Sequence, residues 1–265
     1  MPISITKDDA NGATHYTLPG SFGRFVMPPL HESERQCLSI VMFDSAVQGL
    51  GEYIDNAPAI LNDRELSELG RTKKLEPMQI KLVLGTAHVD AQLDRDAAHF
   101  DKLEQELLAI PKLEPTFTAM AVEDGEARAW WRAQPAEERA KLLKRIESEP
   151  GHERLMIALM RSPVPQLEHE VKFVANLWKR LKRLDNPGQA LAIDRGRANV
   201  EWARRGVAQV AGLTKNALQW DDQRIVRTML KSADPDHHSG FKVFGIGQMT
   251  AELVKRAISH ESNTR

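Results

Sequence analysis

Apolar residues recur at spacings of three and four along most of this chain, the pattern of amphipathic helices laid on a core. Ile40, Phe43, Val47, Leu50 and Ile54 form one such stripe, and Leu167, Val171, Val174, Trp178 and Leu181 form another. The longest candidate starts near Pro77 and runs to Ile110. It places Leu82, Val89, Leu93, Phe100, Leu103, Leu107 and Ile110 on a heptad frame, with Thr86 and Asp96 as polar interruptions. A coiled-coil seam has this pattern. A long core helix has it too, and because one segment alone sustains the frame, the core helix is the preferred reading.

Capping and breaking residues divide the chain further. Ser33 with Gln36 resembles a capping box, and Asn62 with Glu65 forms a second start signal flanked by Leu61 and Leu66 as a hydrophobic staple. Gly70 is expected to end that short helix. Pro111 and Pro115 break the chain. Helices are predicted at 124–133 and 135–148, the second opened by Pro135 and supported by Glu137 and Lys141, and another at 165–184. Pro150-Gly151 is a stop, and Asp185-Asn186-Pro187-Gly188 is the strongest turn signal in the sequence. Residues 1–30 contain Pro2, Pro19, Gly20, Gly23, Pro28 and Pro29 and read as extended. The expected fold is therefore mainly α: an extended N-terminal arm (1–30), a multi-helix body (31–185) and a small C-terminal helical subdomain (186–265).

Composition narrows the class. Of 265 residues, 42% are hydrophobic and 28% charged, which suits a folded chain rather than a disordered one. The single cysteine, Cys37, excludes an intrachain disulfide framework and sits at the apolar start of a helix, where it reads as core rather than nucleophile. The first ten residues lack the layout of a signal peptide, and no apolar run approaches the roughly 18 residues of a membrane span. These features point to the cytoplasm, of the producing cell or of a host.

A net charge of −1 gives no global signal for nucleic acid, but the distribution is uneven. Asp90 to Asp124 is rich in acidic residues and Lys172 to Arg205 in basic ones. Two helical segments that attract each other explain this, as does an anion-binding end or a head-to-tail contact between subunits. The compact run Lys179-Arg180-Leu181-Lys182-Arg183 reads first as a solvated helix face, and second as a phosphate contact.

The most informative segment is Arg204 to Gln219. Val207, Ala208 and Ala211 would face inward, Gly212 would supply a turn with positive φ, Leu213 would fill the corner, Thr214 would cap a following helix, and Leu218 would return inward. Val-Ala-x-x-Ala-Gly-Leu-Thr-x-x-Ala-Leu resembles the helix-turn-helix of the Lac-repressor and Cro type. The resemblance covers about residues 204–221 only and implies a module whose second helix enters the DNA major groove. Asp221 departs from it, standing where an apolar residue is expected. The resemblance implies that Thr214, Lys215, Asn216 and Gln219 face the bases, with Arg204 and Arg205 on the backbone. An ordinary αα-corner uses the same glycine and cap. Gln223 to Lys231 reads as a further helix, and Phe241 to Phe244 as either a wing strand or an irregular loop.

Other chemistry finds little purchase. The His-Glu pairs beginning at His31, His152, His169 and His260 lack a second histidine four residues on. Asp234, Asp236, His237 and His238 form the one dense cluster of ligand-capable residues, but neighbours this close converge on an ion only with help from a distant ligand, so no metal and no cofactor are assigned. Gly245-Ile246-Gly247 lacks a third glycine, and neither a Walker A loop nor a Gly-x-Ser-x-Gly elbow is present. The sequence thus points to a non-enzymatic protein that binds double-stranded DNA, regulatory or associated with a mobile element and acting as a homo-oligomer. The alternative is a structural or assembly protein, of phage type, that oligomerises through its arm.

Overall fold

The computed structural model describes residues 3–30, 37–113, 118–149, 151–162 and 168–263. The chain is mainly α-helical with one small sheet. It divides into two units, residues 1–100 with 194–265 and residues 101–193.

In the first unit the N-terminal residues form strands β1 (Ser4–Lys7), β2 (Thr14–Thr17) and β3 (Arg24–Met27), an antiparallel meander in which Ile5 pairs with Tyr16 and Tyr16 with Phe25. Tyr16, Leu18, Phe25 and Met27 are buried. The segment expected as an extended arm is therefore extended, and it packs into the core of its own unit. Burying each such side chain is worth about 1.5–3 kcal/mol, which holds the meander on the body.

Helix α1 (Leu38–Leu61) buries the whole predicted stripe of Ile40, Phe43, Val47, Leu50 and Ile54. The capping box expected at Ser33 and Gln36 lies outside the described residues. Helix α2 (Glu68–Leu107) differs from expectation at its start. Asn62 ends α1, and the Asp63 carboxylate accepts the Glu65 N–H at 3.0 Å in a local turn. The effective cap is Ser67, whose Oγ accepts the Gly70 N–H at 3.1 Å, so Gly70 lies inside α2 rather than ending a separate helix. The two polar interruptions of the heptad frame have local reasons. Thr86 returns its hydroxyl to the Leu82 carbonyl at 2.9 Å, and Asp96 Oδ2 accepts the Ser39 N–H at 3.1 Å, satisfying a backbone donor at the start of α1.

The second unit contains α3 (Thr118–Ala133), α4 (Ala136–Ser148), α5 (Glu153–Met160) and α6 (Glu168–Asp185). Trp131, Ile146, Met156, Leu159, Val174 and Trp178 fill its core. Its basic run is internally paired: Lys179 and Arg183 reach Glu104 at 3.0 and 3.3 Å, Arg180 reaches Glu147 at 2.9 Å, and Lys182 lies over the Trp178 ring. Within the unit, Glu104 of the acidic stretch thus pairs with Lys179 and Arg183 of the basic one.

Helix α7 (Pro187–Leu218) follows the Asp185–Gly188 turn, then α8 (Asp222–Leu230), a 3-10 helix (Pro235–Lys242) and α9 (Gln248–Asn263). Residues 194–265 do not form a subdomain of their own. Trp202, Val207, Val210, Ile225 and Met229 share one core with α1, α2 and the sheet, and the Trp202 indole donates to the Pro28 carbonyl at 2.7 Å. Phe241–Phe244 forms the end of the 3-10 helix and a turn, not a wing strand. No described helix is long and apolar enough to cross a membrane.

Candidate functional site

The segment 207–218 is where sequence and structure part. Ala203, Val207, Val210, Ala211, Thr214 and Leu218 recur at helical spacing and are all buried, so the core holds one continuous face of α7 through Gly212. A helical glycine costs about 1 kcal/mol relative to alanine, too little to break a helix whose inner face is anchored on both sides. Gly212 is exposed, with open space where a Cβ would stand. Gly212→Ala is accordingly expected to raise stability by about 0.5–1 kcal/mol. A loss in urea denaturation would instead place residue 212 in the predicted turn.

The chain does turn, seven residues later. Among the described residues, Gln219 is the one non-glycine with positive φ, at 53°. Trp220 is buried, and Asp221 caps α8 by accepting the Arg224 N–H at 2.7 Å. The turn expected at Gly212 is made by Gln219, and the cap expected at Thr214 is made by Asp221. The apparent misfit of Asp221 is thereby explained as a helix start.

The six residues implied by the resemblance fare differently. Thr214 is fully buried, with no hydrogen-bond partner for its Oγ1, and cannot reach a base. Lys215 pairs with Asp222, and Arg204 pairs with Asp94 and Glu201, each at 3.3 Å. Arg205, Asn216 and Gln219 are exposed, although the Gln219 amide donates to the Asn216 carbonyl at 2.6 Å. Beyond the turn, Ile225, Val226 and Met229 bury one face of α8, leaving Gln223, Arg224 and Lys231 exposed and Arg227 and Thr228 half-buried. The Arg224 guanidinium lies 4.1 Å over the Trp220 ring.

A second constellation gathers around the start of the 3-10 helix. Asp234 Oδ1 accepts the Asp236 N–H at 3.0 Å, which turns Oδ2 toward His88 Nδ1 at 3.5 Å and His237 Nε2 at 3.8 Å. Ser232 Oγ lies 2.6 Å from His237 Nδ1 and also accepts the Asp234 N–H at 3.2 Å. His238 reaches back to the Ser232 carbonyl at 3.1 Å, and Asp236 pairs with Arg95 at 2.5 Å. The backbone hydrogen bond from Asp236 holds the Asp234 carboxyl below its ordinary range, while burial lowers the His237 imidazole and favours its neutral form. Gly240 permits this approach: a Cβ there would meet Ala87 Cβ at 2.4 Å, one residue from His88. Sequence reasoning found His237 and Asp234 but not His88, which only the fold supplies. No family model matches the chain, and no curated protein or solved structure is significantly similar to it.

Proposed function

We propose that the protein binds double-stranded DNA through the corner of α7 and α8, with α8 as the inserted helix in place of residues 214–218. The observation that carries this reading is the outward face of α8, where Gln223 and Arg224 stand exposed on a short helix held by Ile225, Val226 and Met229, with Lys231 exposed at its C-cap. Arginine and glutamine have the donor geometry for guanine and adenine edges, and lysine suits a phosphate. Arg205, Asn216 and Gln219 lie exposed on the preceding helix and turn, where they would position the backbone. Asp222 pairs with Lys215, and Asp221 accepts the Arg224 N–H at the positive end of α8, which offsets part of its charge.

Fluorescence anisotropy with mixed-sequence duplex DNA tests the proposal. Between roughly 50 and 200 mM salt the affinity is expected to fall by an order of magnitude or more. An Arg224→Ala/Lys231→Ala variant that keeps its helical circular dichroism is expected to lose about tenfold or more at fixed salt. Absent or salt-insensitive binding, or full binding by that variant, would overturn the reading. A large closed assembly in solution that ignores DNA would favour the structural alternative instead.

A further inference from the structure

From the arrangement of His88, Asp234 and His237 we infer a site for a borderline divalent cation, with Zn2+ as the committed ligand. Two imidazoles and one carboxylate are a donor set that such an ion takes up, commonly as three protein ligands with a remaining position open to exchange. The donor atoms all lie within 4.8 Å of one another. Both imidazole-to-carboxylate separations, 3.5 and 3.8 Å, are too long for a good hydrogen bond. They approach the roughly 3.3 Å spacing of donors around a tetrahedral ion with bonds of about 2.0–2.1 Å.

The surroundings orient the donors as ligands rather than as an ordinary polar loop. His237 can present the Nε2 lone pair only if Nδ1 carries the proton, and Ser232 Oγ stands at 2.6 Å to accept it. The same oxygen accepts the Asp234 N–H, so one hydroxyl ties two donors together in the manner of an outer coordination shell. Asp234 uses Oδ1 for the backbone and leaves Oδ2 for the ion. The nearby Arg95 cation is balanced by Asp236. His88 and His237 also line a groove of about 540 Å³ with Met42, Tyr53, Lys81 and Leu82. The open coordination position would therefore face a space that admits water or a small anion.

Titration of the tag-free full chain with Zn2+ against a chromophoric chelator, and with Co2+ for its visible spectrum, tests the inference. One ion per chain is expected, with a Co2+ band of four- or five-coordinate intensity. His88→Ala and His237→Ala are each expected to weaken binding at least tenfold, while His152→Ala, in the second unit, leaves it unchanged. Asp234→Asn keeps the backbone hydrogen bond through its amide oxygen but removes the anionic donor, so it is expected to weaken binding with no change in melting temperature of the metal-free chain. Absence of stoichiometric binding, or binding that survives both His88→Ala and His237→Ala, would overturn the site. So would equal loss on His152→Ala, which would report a general effect of removing a histidine rather than these donors. Neither result bears on DNA binding, which is read on α8.

Discussion

Asp124→Ala is expected to destabilise the second unit by about 3–5 kcal/mol, because it strands a buried cation. Asp124 is fully buried on α3, and its Oδ2 accepts a hydrogen bond from Arg161 Nη1 at 2.9 Å, while Oδ1 lies 3.1 Å from Arg154 Nη2. The two arginines differ in what they lose. The Arg154 side chain is 37% exposed and also donates to the Met120 carbonyl and Glu123, so it has water and other acceptors at hand. The Arg161 side chain is 9% exposed and its Nε is already without a hydrogen-bond partner. Beyond Asp124 it keeps a hydrogen bond to the Pro111 carbonyl, which carries no full charge. The cost thus comes from the cation left behind rather than from the attraction removed. Asp124→Leu combined with Arg161→Met should recover most of the loss, since well-packed apolar groups replace such pairs at little or no net cost. Urea denaturation measures both. A loss below about 1 kcal/mol for Asp124→Ala, or a double variant no better than the single, would contradict this account.

What the sequence made legible follows from the range of the forces involved. The stripe of α1 was readable because helical period and burial act over neighbours three and four apart, and each of its five positions is buried. The Asp185–Gly188 turn was readable for the same local reason, and it separates α6 from α7. The β meander was read only as extended, since strands of four residues hold too few positions for period two to declare itself. The polar breaks at Thr86 and Asp96 looked like defects in a frame; Asp96 in fact serves the start of α1, a partner 57 positions away. The approach of His88 to Asp234 was invisible for the same reason: nothing around His88 in sequence resembles the Asp234–His237 loop. Gly212 misled because local grammar weighed a glycine and a threonine without the buried face that runs through them.

Phe43→Ala and Gly206→Ala are expected to cost about 3–5 and about 1–3 kcal/mol respectively, and less together than their sum. Phe43 is fully buried and meets Tyr16 and Trp202 edge-on, at centroid separations of 5.7 and 5.3 Å. Its removal therefore forfeits aromatic pairing as well as leaving a cavity. Gly206 sits in α7, where an added Cβ would fall 2.6 and 2.7 Å from two Phe43 ring atoms and 3.0 Å from the Met27 methyl. The strain of Gly206→Ala is thus mainly a clash with the side chain that Phe43→Ala deletes, and the new methyl group would occupy part of the space vacated. A double-mutant cycle by urea denaturation is expected to give a favourable coupling of about 0.5–3 kcal/mol. Strict additivity would mean that Phe43 does not limit residue 206. In that case the close approach of α7 to α1 would have to be held by other groups. The coupling also separates two glycines of one short segment: Gly206 is required by packing, whereas Gly212, which the sequence singled out, can be replaced with a gain.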